Sequence, residues 1–136
     1  MSKVALVRCE TYDVDDVRAA VRRGLELVGG AAAFVSPGRK LLLKPNLLIG
    51  DPPEKCVTTH PSVFRAVAEL FLEAGAKVSY GDSPSFGSMA AAAKKSGLAP
   101  VASELGLAEA DFATPEEVFF EGGIQNKKFV IAKAVR

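Results

Sequence analysis

Short apolar runs alternate with stretches of helical periodicity through the first two thirds of the chain. Apolar runs at residues 3–8, 40–43 and 77–80 predict three strands. Apolar side chains between these runs recur every three or four residues, which is the spacing of an amphipathic helix. They are Val17, Val21, Leu25 and Val28 before the second run, and Val63, Ala66, Val67, Leu70, Phe71 and Ala74 before the third. This alternation predicts β-α-β units with parallel strands.

Polar and glycine residues mark the ends of the two long helices. Asp13 is predicted to cap the first helix, because its side chain can accept from free N–H groups of the first turn. Gly29-Gly30 is predicted to end that helix. Thr59 or His60 is predicted to cap the second helix, and Gly75 to end it.

The last third of the chain predicts two short helices and a pair of strands. One helix is expected from Ser88 to Ser96, and another from Pro100 to about Gly106. Apolar residues at 118–120 and 129–131 predict strands that pair antiparallel. The expected fold is a single α/β domain over residues 1–136. Its sheet is expected to be mostly parallel, doubly wound and Rossmann-like, with flanking helices and a C-terminal strand pair.

Composition narrows the class of protein. The 136 residues include 17 Lys and Arg against 16 Asp and Glu, and 7% are aromatic. This balance favours neither a nucleic acid nor an anionic membrane surface as partner. No apolar run approaches the ~20 residues of a membrane helix, and we expect a cytoplasmic protein. Cys9 and Cys56 are predicted to be free thiols in a reducing compartment, with Cys9 buried.

Reactive and hydrogen-bonding residues follow the predicted strands. Open α/β sheets bind ligands beyond the carboxyl ends of their parallel strands. Lys44 follows the second strand and Asp82 the third, and the second helix begins at the same predicted edge. The candidate ligand-binding residues are Lys44, Asn46, Thr58, Thr59 and Ser83, and the candidate catalytic residues are His60 and Asp82.

These residue types suit an anion such as a phosphate or a carboxylate. Lys44 supplies a positive charge, and the free N–H groups at a helix start carry partial positive charge. Hydroxyl and amide side chains add directional hydrogen bonds. Neither a phosphate-binding loop nor a dinucleotide fingerprint is present, and no residues are proposed as metal ligands. Each of these residues also has an ordinary role in turn or cap chemistry.

Three segments together carry a resemblance to a known family. They are Leu41-Leu42-Leu43-Lys44-Pro45-Asn46-Leu47, Val57-Thr58-Thr59-His60-Pro61, and Gly75-Ala76-Lys77 followed by Gly81-Asp82-Ser83-Pro84. In this order and approximate spacing they resemble the family known as domain of unknown function 362. The resemblance extends over nearly the whole chain.

The resemblance implies a soluble bacterial or archaeal protein, and members of the family are often described as iron–sulfur-associated. Its members are typically about twice as long, and many carry ferredoxin-like cysteine motifs in the second half. We therefore expect residues 1–136 to be the N-terminal fragment of a longer protein. No cofactor is expected within this chain, and a 4Fe-4S cluster is possible in the part that would follow it.

These residues are compatible with three functions. The leading expectation is an uncharacterised domain that binds an anionic small molecule or cofactor at the sheet's carboxyl edge, in a redox or metal-linked reaction. The alternative is a non-catalytic domain that docks a ferredoxin-like module, or the missing half, through Phe119, Phe120, Phe129 and Ile131. In the third, the motifs only shape turns and caps, and the missing half carries the function. The sequence does not decide between an enzyme and a binding module.

Overall fold

A computed structural model describes residues 3–136, with nine helices and strands in that part of the chain. In chain order the elements are α1 (Val14–Leu27), β1 (Lys40–Leu43), α2 (Pro61–Glu73), β2 (Lys77–Tyr80), α3 (Met89–Lys95), α4 (Leu98–Glu104), β3 (Ala108–Glu109), β4 (Pro115–Phe119) and β5 (Lys128–Ala132). Short 3₁₀ turns cover Ala31–Ala33, Pro53–Lys55 and Lys133–Val135.

The strands form two separate sheets. β1, β2 and β3 lie side by side in that order and run parallel, with Leu41 opposite Val78 and Tyr80 opposite Glu109. β4 and β5 form an antiparallel pair, as the sequence predicts. The α/β class is therefore confirmed. β3 was not expected, because a two-residue strand leaves no periodic pattern to detect.

The helix caps match the sequence. The Asp13 carboxylate accepts from the backbone N–H groups of Asp15 at 2.9 Å and Asp16 at 3.3 Å. His60 caps α2, where its ring accepts from the N–H of Ser62. α4 begins at Leu98 rather than at Pro100, since proline is tolerated in the first turn of a helix.

The predicted strand at residues 3–8 is not a strand in this structure. Val4 and Leu6 are 91% and 95% exposed, whereas Ala5 and Val7 are partly covered. Val7 lies against α1 at Gly24, where an added methyl group would sit 3.9 Å from Val7 Cγ2. A strand needs a neighbour for its backbone groups, and no other strand within residues 3–136 pairs with this segment. The element order therefore begins with a helix.

The core lies on one face of the three-stranded sheet. Val78 and Tyr80 alternate with Ser79 along β2 and point to that face, where they meet α2. One cluster holds Leu47, Phe64, Tyr80, Ala92, Ala93, Leu98, Val101 and Ala102, and the other holds Val35, Phe71, Ala76 and Val78. Leu42 and Ser79 point to the opposite face and belong to neither cluster. The helices that contribute to these clusters thus cover a single face.

Arginines join α1 to α2. Arg18 Nε donates to Glu69 Oε2 at 2.9 Å, and its guanidinium also pairs with Glu73. Sequence periodicity predicts that Arg18 faces solvent, but the partner helix supplies its carboxylates. Each such half-exposed ion pair contributes about 1 kcal/mol or less to the free energy of unfolding. Burial of the Val17 side chain therefore stabilises α1 more than any one of these pairs does.

The loop between β1 and α2 is closed tightly onto α3. Gly50 has φ +67°, and a Cβ there would lie 2.4 Å from Ala92 Cα. Next to it, buried Asp51 accepts from the ammonium groups of Lys55 and Lys95, each at 3.1 Å. The hydrogen bonds from Lys55 and Lys95 hold the pKa of Asp51 below its ordinary value, against the effect of burial.

Gly50→Ala is expected to destabilise the domain by about 3 kcal/mol or more, because it combines left-handed backbone strain with a backbone collision. Gly38→Ala is the matched control: its φ is +78°, but nothing lies within 4 Å of its Cβ position. The control should cost about 1–2 kcal/mol from strain alone. Urea unfolding midpoints measure both values, and equal losses would contradict the close approach at Gly50.

Candidate functional site

Two of the predicted site residues form an ion pair at the carboxyl edge of the parallel sheet. Lys44 follows β1 and Asp82 follows β2, and the Lys44 ammonium lies 2.5 Å from Asp82 Oδ1. The other carboxylate oxygen of Asp82 accepts from the backbone N–H of Leu47 at 2.8 Å. The strand ladder leads into this contact, since the N–H of Gly81 donates to the carbonyl of Leu43. The pair thus ties together the loops that leave two neighbouring strands.

Burial makes this pair asymmetric. The Asp82 side chain is 5% exposed, whereas the Lys44 side chain is 54% exposed. Burial alone would raise the pKa of Asp82, but the Lys44 ammonium and the N–H groups of Leu47 and Ser83 outweigh it and hold the pKa below its ordinary value. Asp82 is therefore ionised at neutral pH, and it holds an ammonium group that still faces solvent.

A groove of about 430 Å³ opens beside Asp82. Its walls come from the Asp82–Pro84 loop, the start of α3 and residues 109–113 after β3. Gly81 allows these walls to approach, because a Cβ there would lie 2.6 Å from the Phe112 ring and 3.1 Å from the Ala110 carbonyl oxygen. The groove lies beyond the carboxyl ends of two parallel strands, where α/β sheets commonly bind ligands.

The remaining side chains at this edge differ in their partners. Asn46 and Ser83 are exposed, and their side chains make no hydrogen bond to another residue of 3–136. Asp111, on the groove wall, accepts from the N–H groups of Ala113 and Thr114. Hydrogen bonds from Thr114, and the N–H of Ala113, hold the pKa of Asp111 below its ordinary value. Asn46 and Ser83 are thus free to bond a ligand, whereas Asp111 is occupied by its own turn.

The predicted residues before α2 form a second group. His60 Nδ1 lies 2.8 Å from Ser62 Oγ and accepts from the Ser62 N–H at 3.2 Å. Its ring stacks on Tyr12, with ring centroids 3.8 Å apart and planes 17° apart. Thr58 donates its hydroxyl hydrogen to the carbonyl of Asp51, at 3.2 Å. Thr59 is half-buried in the same turn.

The structure therefore divides the predicted site. Lys44, Asp82, Asn46 and Ser83 lie on the loops after β1 and β2, and a direct contact joins the first two. Within residues 3–136, no hydrogen bond or ion pair connects His60 to Lys44 or Asp82. The stacking of Tyr12 on His60 was not predicted, because a contact between residues 48 positions apart leaves no local signal in the sequence. The pairing of Asp51 with Lys55 was not predicted either, although their four-residue spacing was a usable indication.

The two cysteines do not provide a metal centre by themselves. Both thiols are free and exposed, as predicted for their redox state, but Cys9 was expected to be buried and is not. It is exposed because segment 3–9 runs along the surface, where Cys9 Sγ lies 3.4 Å from the Thr11 carbonyl oxygen. Three or more His, Cys, Asp or Glu residues are nowhere grouped as metal ligands in the described chain. An iron–sulfur cluster usually takes four cysteine ligands, so these residues do not fit one.

The β4–β5 pair exposes large apolar side chains. Phe119 is 64% exposed, Phe120 59% and Val130 65%. Phe129 is 39% exposed, and Ile131 is half-buried. The patch named from the sequence is therefore exposed for its three phenylalanines and partly covered at Ile131.

The fold and this site define a class: an α/β protein with a lysine–carboxylate pair at the carboxyl edge of a parallel sheet. The family model described as "Domain of unknown function (DUF362)" matches residues 41–136. The chain belongs to this family. The match includes Lys44, Asp82 and the other predicted site residues.

A named relative adds to this similarity. The chain is 41% identical over 112 residues to a protein named "Thylakoid-associated protein sll1697" from Synechocystis sp. (strain ATCC 27184 / PCC 6803 / Kazusa). The alignment covers 82% of this chain and 35% of the relative, so the chain spans about one third of that protein's length. No solved structure matches the chain. The helices within residues 3–136 lack the length and apolar character needed to cross a membrane.

Lys44→Met is expected to raise the pKa of Asp82 relative to the unaltered protein, because burial remains while the ammonium is lost and only the N–H groups of Leu47 and Ser83 still lower it. In the unaltered protein, Asp82 stabilises the fold above its unfolded pKa, and this contribution is lost as pH falls through the lowered folded pKa. In Lys44→Met this contribution is smaller, because the buried carboxylate keeps only its backbone N–H partners. Carboxyl NMR titration of Asp82 measures the pKa directly.

Lys77→Met is the control for this experiment, because Lys77 lies at the opposite end of β2. We expect Lys44→Met to cost about 1–2 kcal/mol at neutral pH, a discounted value because Lys44 is half-exposed. The control should leave the Asp82 pKa unchanged. An Asp82 pKa that is the same in both variants would contradict the assigned role of the ion pair.

Proposed function

We propose that the domain binds an anionic small molecule or cofactor at the carboxyl edge of its parallel sheet, with Lys44 as the receiving charge. The observation that carries this proposal is the Lys44–Asp82 pair. A lysine ammonium has three N–H donors, and the contact with Asp82 occupies one of them. The rest of the ammonium faces solvent, so a ligand can bind without breaking the pair.

Asp82 has the chemistry of a positioning residue in this proposal. A carboxylate whose pKa lies below its ordinary value is a weak base at neutral pH. Its bonds to Lys44 and to the Leu47 N–H instead hold the lysine in one place. Holding a flexible lysine in advance lowers the entropy cost of binding.

Asn46 and Ser83 supply the directional contacts. They lie on the same loops as Lys44 and Asp82, after β1 and β2, and have no side-chain hydrogen bond within the described residues. Because Glu109 and Asp111 also line the groove, a purely anionic ligand would be repelled on that wall. The proposed ligand therefore places its phosphate or carboxylate at Lys44 and neutral hydroxyl or amide groups in the groove.

His60 and the threonines before α2 have a supporting role in this proposal. The ring nitrogen of His60 is engaged with Ser62, and its face is covered by Tyr12. Proton transfer by His60 would require the N-cap bond to break when Nδ1 takes up the proton. We therefore place ligand binding at Lys44 first and keep catalysis by His60 and Asp82 as a secondary proposal.

Family-level proposals concern the longer protein. We propose that this α/β chain is the N-terminal part of a longer protein in which the sheet gains further strands and becomes doubly wound and Rossmann-like. In this proposal the longer protein is redox-linked and iron–sulfur-associated, and any 4Fe-4S cluster lies outside this chain. The relative's name links that protein to thylakoids, so association with that membrane system is a proposal for this chain as well. It competes with the cytoplasmic location predicted from the sequence, and fractionation of cells that produce the protein distinguishes the two.

A second candidate function rests on the β4–β5 patch. Phe119, Phe120 and Phe129 are exposed, and such aromatic surface is typical of an interaction site. In this alternative the domain docks a ferredoxin-like module without catalysis of its own. It predicts that Phe119→Ser weakens the docking of that module and leaves anion binding unchanged.

Titration with inorganic phosphate and acetate, followed by NMR, tests the leading proposal. We expect shifts at Lys44, Asn46 and Ser83 with millimolar affinity, because one charge and two hydrogen bonds can supply about 4 kcal/mol. Lys44→Met should weaken binding about tenfold or more, and Lys77→Met should leave it within about twofold. Lys44 lies at the carboxyl end of the parallel strands and Lys77 at the opposite end. An effect of net positive charge alone would therefore weaken binding equally in the two variants.

Two results would contradict the proposal. One is the absence of shifts at Lys44 and Ser83 at tens of millimolar ligand. The other is binding that responds equally to Lys44→Met and Lys77→Met, since this indicates a nonspecific ionic effect. Shifts confined to His60 and Thr59 would instead move the ligand to the start of α2.

A further inference from the structure

Residues 4–8 have the exposure pattern of a strand but lack a strand's partner. Exposure alternates from Val4 to Arg8, with Val4, Leu6 and Arg8 exposed and Ala5 and Val7 partly covered. This period of two is that of an extended chain. Their backbone N–H groups make no backbone hydrogen bond to another residue of 3–136. A row of free N–H and C=O groups is therefore available along this segment.

An apolar groove lies next to the same segment. It has a volume of about 360 Å³ and runs between Ala5–Tyr12, α1 and the start of α2. Val17 and Val21 from α1 and Val63 from α2 line it, together with Ala5 and Val7. A groove of this composition fits apolar side chains rather than a charged ligand.

β1 also lacks a neighbour on one side. It is at the edge of the sheet, where it pairs with β2, yet it carries three consecutive leucines at 41–43. Such a run is typical of a strand buried on both faces, but all three leucines are only half-buried. α1 contacts both regions, because Gly24 lies against Val7 and Leu25 packs with the cluster that includes Leu41.

We propose that residues 4–8 pair with an apolar β-strand contributed by the part of a longer polypeptide that this chain does not contain. That strand would bond the free backbone groups of the segment and place alternate side chains in the groove over α1 and α2. This inference is independent of ligand binding at Lys44. The proposed binding mode is strand addition. Main-chain hydrogen bonds to the incoming strand give affinity, and the groove selects its apolar side chains.

The length of the relative identifies the occupant. The matched stretch is 35% of the Synechocystis protein, so about two thirds of such a polypeptide lies outside it. A strand from the same polypeptide is held near the segment at high effective concentration, whereas a second copy must associate from solution. The intramolecular strand therefore outcompetes a second copy at ordinary protein concentrations.

Hydrogen exchange tests this assignment. The matched stretch of the Synechocystis relative is replaced by this chain, and the exchange of residues 4–8 is compared between the chimera and the 136-residue chain. We expect near-unprotected exchange in the short chain and at least hundredfold slower exchange in the chimera. Amides of α2 serve as the internal check, since they should be protected in both proteins.

Leu6→Pro sharpens the experiment, because proline has no N–H and blocks regular strand pairing. Leu6 is 95% exposed and its N–H makes no backbone bond within residues 3–136, so the variant should leave the unfolding midpoint of the 136-residue chain unchanged. In the chimera it should remove the protection of the remaining amides of residues 4–8. Ile124→Pro, at a residue 99% exposed after β4, is the control and should have no effect on that protection.

Three results would overturn the proposal. The first is fast exchange of residues 4–8 in a chimera whose α2 amides are protected. The second is concentration-dependent protection of residues 4–8 in the short chain, which would assign the segment to a second copy. The third applies when the α2 amides of the chimera exchange fast, which shows that the chimera is not folded. Hydrogen exchange is then measured on the intact relative, and fast exchange in the segment before its counterpart of α1 overturns the proposal.

Discussion

The arrangement of the carboxyl edge depends on one buried carboxylate. Asp82 is 4% exposed, and a charge at that depth is stable only with partners on its oxygens. Its partners come from the loop after β1: the Lys44 ammonium and the N–H of Leu47. The same loop then places Leu47, which is fully buried, in the cluster under α3 and α4. One ionised group thus holds the loops that follow β1 and β2, helps to place Leu47 in the core and positions an exposed lysine.

The strict geometry of the long loop follows from the same constraint. Once Leu47 is anchored, the chain must turn back over α3, and Gly50 meets Ala92 where no side chain fits. Asp51 then bonds lysines from its own loop and from α3, which closes the loop at both ends. The loop is long yet firmly held, a combination that keeps binding groups in place without regular secondary structure. The precision of the edge therefore comes from side-chain contacts more than from the short strands.

The sequence was most informative where the determining forces are local or follow from topology. Helix caps at Asp13 and His60 depend on residues two or three positions away; Asp13 was predicted, and His60 was one of the two residues predicted for α2. The meeting of Lys44 and Asp82 followed from the rule that parallel strands end at one edge. The stacking of Tyr12 on His60 could not be predicted, because it depends on how a surface segment packs on a helix start. Residues 3–8 were predicted as a strand from their composition, but pairing requires a neighbour that composition does not supply.

The open surfaces and the charged edge have different energetic roles. Polar groups at the edge can be satisfied by water, so the Lys44–Asp82 pair can form in this chain alone. Apolar side chains such as Leu6 and Phe119 gain nothing from water, and covering them would release about 25 cal/mol for each Å² of apolar surface. The two-stranded β4–β5 sheet has a similar need, since isolated hairpins are marginally stable. Completion by further chain would therefore act mainly on stability, whereas the charged carboxyl edge is already held by the contacts between the loops after β1 and β2.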